Sequence, residues 1–308
     1  MKSINGFSQK RQSMIQQFSH IAPLQNYLAE KINEGQEFSF VPTMGNLHEG
    51  HLSLARESLK DSRNSFCVFS IFVNPKQFGP KEDFHNYPST IEEDIVKLSS
   101  LSKEMKKDIL LFYPDNQQEI FPEGFATSIT VDGLSKILCG KQRKNHFKGV
   151  TTVVYRLLIL LKPHRTYMGL KDFQQQFLIK KMVKDLLLSS EIISLPTIRE
   201  KSNLAMSSRN NYLTPQEREG EALCLYNTML RVKHALENSS LSLKEKISLF
   251  NDEKEKTLGP HSKWQYLELL DSETLKNITS KTKTAQIFGA YLCGKTRLID
   301  NMTIYLNP

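Results

Sequence analysis

The chain has 308 residues, 39% of them hydrophobic and 24% charged, enough for a substantial core and more than one average domain uses, so two domains are expected. Lys+Arg number 41 against 33 Asp+Glu, a formal charge of +8 at pH 7 that suits anionic ligands. The basic residues are scattered apart from short clusters at 141–148 and 180–184, which argues against the stripe of a nucleic-acid binder and leaves a solvated surface as the plainer reading.

In chain order, Phe38-Ser39-Phe40-Val41 is a short apolar run stopped by Pro42, and Gly45 to His51 leads into Leu52, Leu54, Ala55 and Leu59 at helical spacing. Strand, loop and helix follow from that pattern. Residues 65–73 form a nearly continuous apolar run closed by Asn74-Pro75, as expected of a parallel strand covered on both faces. Ile91 to Leu101 reads as a helix, the Ser/Lys-rich stretch 99–107 as an exposed loop or helix end, and Asp108 to Tyr113 as a buried strand. A long apolar helix is predicted over Val150 to Leu161, ending before Pro163. Arg165 to Gly169 then reads as a strand and Asp172 to Leu188 as the next helix. This alternation predicts an α/β fold, a Rossmann-like doubly wound parallel sheet over residues 1–195. Past Pro196 come two charged helices, Pro215 to Glu237 and Leu243 to Lys256, and three strand-like runs, Tyr266 to Leu270, Ala285 to Tyr291 and Thr296 to Asp300. They predict a smaller α+β domain over 196–308.

Cys67, Cys139, Cys224 and Cys293 form no C-x-x-C pair, so neither a zinc knuckle nor a disulfide framework is indicated and all four are read as reduced thiols. No stretch approaches the roughly 18 apolar residues of a membrane span. A soluble cytoplasmic protein is expected, with a transit peptide at the basic N-terminus the lesser alternative.

Four strand-end segments carry candidate chemistry. Met44-Gly45-Asn46-Leu47-His48-Glu49-Gly50-His51 places two histidines where a strand turns into a helix. Free amides and the dipole of a helix start suit phosphate, and two imidazoles can donate to a phosphoryl transition state. Unrelated helix-start histidines and a metal site are the alternatives, the latter without Cys or Glu at zincin-like spacing. Asn74 and Gln77 follow directly on a buried strand and would face the same crevice, although Asn-Pro alone can build a turn. Gly169-Leu170-Lys171-Asp172, with Gln175 beyond it, offers a cation for phosphate, a carboxylate that is equally readable as a helix cap, and an amide. Ile198, then Met206-Ser207-Ser208-Arg209, offers two hydroxyls and a guanidinium suited to a phosphate clamp on a mobile lid. The basic segment Arg143 to Val150, with Arg143 and His146, could touch a carboxylate or be a solvated loop.

Pro-Thr-Met-Gly with Leu-His-x-Gly-His, Phe-Val-Asn-Pro-x-Gln-Phe, Gly-x-Lys-Asp-x-Gln-Gln and Met-Ser-Ser-Arg-Asn, in this order from about Phe38 to Leu213, resemble the pantothenate synthetase family. The resemblance implies a cytoplasmic homodimer in which pantoate attacks the α-phosphorus of ATP and the pantoyl adenylate then passes to β-alanine, releasing AMP. It implies that His48, His51, Lys171, Ser207, Ser208 and Arg209 carry the chemistry, with Met44 to His51, Gly169 to Asp172, Ile198 and Met206 to Arg209 around ATP. Gln77 and Gln175 match pantoate-binding glutamines, with Asn74, Arg143 and His146 beside them. Mg2+ would accompany ATP on phosphate oxygens, with no metal site from side chains alone.

Three segments depart from the family pattern. Arg143-Lys144-Asn145-His146-Phe147 replaces Arg-Pro-Gly-His-Phe, Ser89 stands where Arg is common, and Ser202-Asn203 replaces Asp-Gly before Leu204-Ala205. The rival readings are another H-x-G-H nucleotidyltransferase, such as a cytidylyltransferase or a synthetase-like adenylating protein, and a nucleic-acid binder on an α/β scaffold. The two glutamines favour a small hydroxy acid over the first, and the salt dependence of polyanion binding would separate the second.

Overall fold

The computed structural model describes residues 15–80, 82, 84, 87–237 and 240–306; the basic N-terminal segment read above as an alternative transit peptide lies almost entirely outside them. Six strands form one wholly parallel sheet: β1 (Ile15–Phe18), β2 (Phe38–Thr43), β3 (Phe66–Ile71), β4 (Ile109–Phe112), β5 (Arg165–Gly169) and β6 (Glu191–Leu195), in the order β1-β4-β3-β2-β5-β6. The doubly wound sheet predicted from the alternating pattern is therefore present. Between the strands run α1 (Ile21–Asn33), α2 (Glu49–Lys60), α3 (Ile91–Met105), α4 (Cys139–Gln142), α5 (His146–Leu161) and α6 (Phe173–Asp185).

The continuous apolar runs are explained by burial on both faces. Phe38, Phe40, Phe66, Val68, Leu110 and Phe112 turn toward one layer with Leu24, Val154, Leu158 and Ile179. Their alternate neighbours Val41, Cys67, Phe69, Ile109 and Leu111 turn toward Leu54, Leu59, Leu98 and Leu101 on the other.

The C-terminal part consists of α7 (Leu223–Glu237), α8 (Leu243–Thr257) and an antiparallel sheet β7-β8-β9 (Trp264–Asp271, Thr284–Cys293, Thr296–Tyr305). A core around Leu225, Met229, Val232, Leu267, Ile287 and Ile304 lies between these helices and the sheet. A separate cluster, in which Tyr266, Leu270 and Phe288 meet Leu138, Phe147 and Leu178, joins the small sheet to the first half of the chain.

Of the two readings given to residues 99–107, the helix end holds: residues 99–105 are the last turns of α3, with Leu98 and Leu101 pinned in the core and the Ser102 hydroxyl donating to the Lys107 carbonyl at 2.8 Å just beyond the helix end. One local expectation is corrected. Helix α5 begins at His146 rather than Val150, so half of the supposed basic loop is a buried helix start.

The topology fixes where ligands can enter. The chain runs from β2 outward to β3 and β4 on one side, and continues through β5 and β6 on the other, so the winding reverses between β2 and β5. Pairing of β2 with β3 persists to Thr43 and Ile71, whereas pairing of β2 with β5 stops at Phe40 and Thr166. The two strands part beyond that point and open a crevice at their carboxyl ends, the usual ligand position in such sheets.

Candidate active site

Gly45 makes the turn out of β2 with φ +83°, a conformation that suits glycine, and a Cβ there would also press on Ile71. The amides of Asn46 and Leu47 do not face the crevice. Both donate at 2.8 Å to the carboxylate of Asp94, which is fully buried in the first turn of α3 and also accepts from the Thr90 hydroxyl at 3.1 Å. Asp94 thereby sets the angle at which α2 starts.

His48 caps α2, and its Nδ1 accepts the Gly50 amide at 3.1 Å. His51 Nδ1 accepts the His48 amide at 3.4 Å, and the two rings lie 4.0 Å apart. With both Nδ1 atoms accepting, the neutral rings carry their protons on Nε2. Burial, reinforced by the nearby Lys171 charge, lowers the His48 pKa to about 4. Burial, followed by the His48 charge, holds His51 well below the ordinary imidazole value. Near neutral pH the pair is therefore two uncharged donors side by side. A Cβ on Gly50 would strike the His48 ring, so glycine is what lets that ring fold back over the helix start.

At the end of β3, Asn74 is engaged in full. Its Oδ1 accepts from the Lys76 amide at 3.2 Å, and its Nδ2 donates to Gln77 Oε1 and the Gly149 carbonyl, both at 3.1 Å. Asn74 is thus both the turn former and the holder of Gln77. The Gln77 amide nitrogen lies 2.8 Å from Met44 Sδ, and the Gln77 carbonyl is 2.9 Å from His146 Nδ1. His146 Nε2 is 2.9 Å from Arg143, whose fork closes on the Glu82 carboxylate at 2.8 and 2.5 Å. Burial and the Arg143 charge lower the His146 pKa to about 4. Asn145 takes φ +66°, so asparagine keeps the left-handed turn for which the family pattern has glycine.

Beyond β5, Leu170–Asp172 form one 3-10 turn. Asp172 makes no side-chain cap to α6; its carboxylate instead lies 3.2 Å from Lys171 Nζ. Burial pushes the Asp172 pKa up, but the Lys171 charge and hydrogen bond, helped by Arg209, more than reverse this, and the carboxyl stays ionised. Of three consecutive glutamines, Gln174 donates to the Leu134 and Ile137 carbonyls and Gln176 donates to Ser194, while the Gln175 side chain lines the crevice with no such bond among the described residues.

The Ile198 to Met206 segment folds back on itself, with the Met206 amide donating to the Ile198 carbonyl at 2.9 Å and Arg199 bridged to Ala205. Asn203 makes its turn at φ +73°, again asparagine where the family pattern has glycine. Ser207 accepts the Arg209 amide at 3.3 Å, and Ser208 Oγ lies 3.3 Å from the Tyr87 hydroxyl across the crevice.

One cavity gathers most of these groups. It is lined by Met44, His48, Gly50, His51, Asn74, Gln77, Arg143, His146, Gly169, Lys171, Asp172, Gln175, Ile198, Met206, Ser207, Ser208 and Arg209. Gly45, Asn46, Leu47, Glu49 and Leu170 stand outside its lining; Glu49 pairs with Arg56 at 2.5 Å. Sequence reasoning missed Asp94, Glu82, Asp300 and Asn301. Asp94 is the last of three consecutive acidic residues at a helix start, where carboxylates are favoured in any case, so the sequence does not single it out from Glu92 and Glu93, and nothing local marks the other three.

A model of the family described as pantoate-beta-alanine ligase matches residues 16–303. The pantothenate synthetase of Moorella thermoacetica is 40% identical over 292 residues, covering 93% of this chain and 98% of that protein. That of Fervidobacterium nodosum is 42% identical over 275 residues, covering 89% and 94%. Among solved structures, pantothenate synthetase from Thermus thermophilus superposes with a TM-score of 0.82 at 38% identity, over 95% of this chain and all of that one. The pantoate-beta-alanine ligase of Francisella tularensis, complexed with beta-gamma ATP and beta-alanine, gives a TM-score of 0.71 at 33% identity, over 94% and 97%.

Proposed function

We propose a role for each residue at this site from one premise: the chain belongs to the pantoate-β-alanine ligase family. The reaction is ATP-dependent joining of pantoate to β-alanine. In the first step a pantoate carboxylate oxygen attacks the α-phosphorus, the bond to the bridging oxygen breaks, and pyrophosphate leaves. In the second, the β-alanine amine attacks the acyl carbon of pantoyl adenylate, AMP leaves and the amide forms.

His48 and His51 donate from Nε2 to the phosphate oxygens as charge develops on them. Their neutrality matters because an uncharged donor placed in advance costs no proton uptake during the step. Lys171 and Arg209 supply positive charge to the triphosphate, with Ser207 and Ser208 as hydroxyl donors. Gln77 and Gln175 present amides to the hydroxyls and carboxylate of pantoate. Asn74 works through Gln77 and is a positioning residue. Arg143 is already matched by Glu82, so we assign it to holding His146 and the Gln77 carbonyl rather than to substrate.

Mg2+ arriving with ATP would screen the triphosphate charge and favour departure of pyrophosphate. Asp172, an ionised carboxylate on the cavity wall, is the residue suited to hold a water of its hydration shell. Among the described residues no group of three or more His, Cys, Asp and Glu could hold a metal by itself.

The boundary at residue 195, with 196–308 closing over the crevice, is part of the same proposal. It is supported by a cavity whose walls come from both halves of the chain and by the Tyr87–Ser208 contact across it. Exclusion of water would protect the mixed anhydride from hydrolysis. A cytoplasmic homodimer, as the family resemblance implies, completes the reading.

The observation that carries this proposal is the convergence of His48, His51, Lys171 and Arg209 with Gln77 and Gln175 on one cavity at the sheet's switch point. Labelled pyrophosphate should exchange into ATP only when pantoate and magnesium are present, without β-alanine. Exchange that ignores pantoate would refute the assignment of the acid substrate.

A further inference from the structure

We propose that Asn301 is a positioning residue that latches the small C-terminal sheet to the Lys171 turn and so aims Lys171 at the triphosphate, an inference that rests on the role given to Lys171 above. Asn301 sits in β9 with only 7% of its surface exposed. Its Nδ2 donates to the carbonyls of Leu170 at 2.8 Å and Lys171 at 2.9 Å. Its Oδ1 accepts from Gln286 Nε2 of β8 at 2.5 Å, and Gln286 Oε1 accepts from the Thr303 hydroxyl at 2.9 Å. This chain of bonds admits one orientation of each amide, because two carbonyls can only be met by an NH2 group. Every polar atom along it has a partner, so the network holds a single geometry.

The preceding residue does the same for the second cationic segment. Asp300 grips the Arg199 guanidinium in a fork at 2.6 and 3.0 Å and accepts the Asn301 amide at 2.8 Å. Arg199 belongs to the folded-back segment that leads into Met206 to Arg209. Two consecutive residues of one strand therefore tie together the turn bearing Lys171, from the large sheet, and the segment leading to Arg209. The Lys171 turn is short and rises from Gly169, around which there is open space. Without Asn301 the two carbonyls lose their shared donor and the ammonium loses its fixed base.

Asn301→Asp keeps the shape but presents a carboxylate to two carbonyls, so it removes both donors without opening a cavity. The full-length variant should melt as a folded protein and convert supplied pantoyl adenylate and β-alanine at the unaltered rate, because Lys171 acts on phosphates lost in the first step. Its pantoate-dependent pyrophosphate exchange should fall roughly 10- to 100-fold, the effect of displacing a group remote from the bond-breaking. Exchange at the wild-type rate, or an equal fall in both half-reactions, would overturn the latch. Should Asn301→Asp fail to fold, Asn301→Ser retains one donor and is expected to exchange at an intermediate rate; full exchange there would equally overturn it. Failure of the underlying functional reading is distinguishable, since it would appear in the unsubstituted protein as pyrophosphate exchange indifferent to pantoate.

Discussion

His51 accepts the backbone amide of His48 on its Nδ1, while the His48 ring turns back to accept from Gly50, so each ring is left with its proton on Nε2. The motif H-x-G-H is thus a reciprocal helix cap as well as a pair of donors, in the manner of a capping box. His51→Asn keeps an acceptor at the Nδ1 position for the His48 amide but places no donor at the Nε2 position. Pantoate-dependent pyrophosphate exchange should drop by about 10²- to 10³-fold, as for loss of a preorganised oxyanion donor. A change confined to KM for ATP would show that the ring serves binding alone.

The same two rings, with His146, make stability depend on pH. All three have pKa values lowered on folding, His48 and His146 to about 4 from 6.5. Above pH 6.5 both folded and unfolded chains hold them neutral, and stability is full. As pH falls from 6.5 toward 4 the unfolded chain takes up protons that the folded chain refuses, so each ring removes up to about 1.4 kcal/mol per pH unit. Urea midpoints should decline across this window, and His146→Gln should flatten the slope.

Gly149 has a role visible only in three dimensions. A Cβ there would collide with the Lys76 carbonyl and the Gln77 backbone, because α5 lies directly against the turn after β3. Gly149→Ala should destabilise the fold by about 1–3 kcal/mol through overpacking, read from urea unfolding. It should also raise KM for pantoate, since the displaced segment carries Gln77.

What was legible in the sequence follows from which forces are local. The strands β2, β3 and β4 were readable because burial on both faces demands unbroken apolar runs, and the turns after them because glycine, proline and asparagine punctuate them. Strand β1, Ile15-Gln16-Gln17-Phe18, has no such run; it is an edge strand fixed by pairing with β4, a contact remote in sequence. The candidate site was readable for residues on strand ends and unreadable for those that hold them. Asp94, Glu82 and Asn301 lie 47, 61 and 130 positions from the groups they secure, and no pattern within a window links such pairs. Asparagine at 145 and 203 looked like a loss of family glycines, yet its tolerance of left-handed backbone keeps both turns.

The two glutamines should separate by partner. Gln77 is held by Asn74 and Met44, whereas Gln175 has no hydrogen-bond partner among the described residues and lines the cavity. Gln175→Leu should therefore raise KM for pantoate about 10-fold or more, the cost of leaving substrate polar groups unpaired, and leave thermal stability unchanged. Gln77→Leu should raise the same KM and also lower the melting temperature, because it breaks the bonded array to Asn74. Equal melting temperatures for the two variants would contradict this distinction.

Lys171 and Asp172 provide the last and most specific test. The Asp172 carboxyl is kept ionised because the adjacent ammonium at 3.2 Å outweighs the cost of burial. Lys171→Met removes that attraction along with the positive charge owed to phosphate. Adenylation should fall about 10²-fold or more, while conversion of supplied pantoyl adenylate with β-alanine continues. With its partner gone, Asp172 keeps the desolvation that raises its pKa against the weaker contributions of Arg209 and His146, so its pKa should rise. The residual exchange of Lys171→Met should accordingly acquire a new loss on the acid side, as protonation takes away the carboxylate assigned to a water of magnesium. Lys171→Met with Asp172→Asn should be slow at every pH and lack that acid limb. If the limb survives in the double variant, another group titrates there and Asp172 has no part in holding the cation.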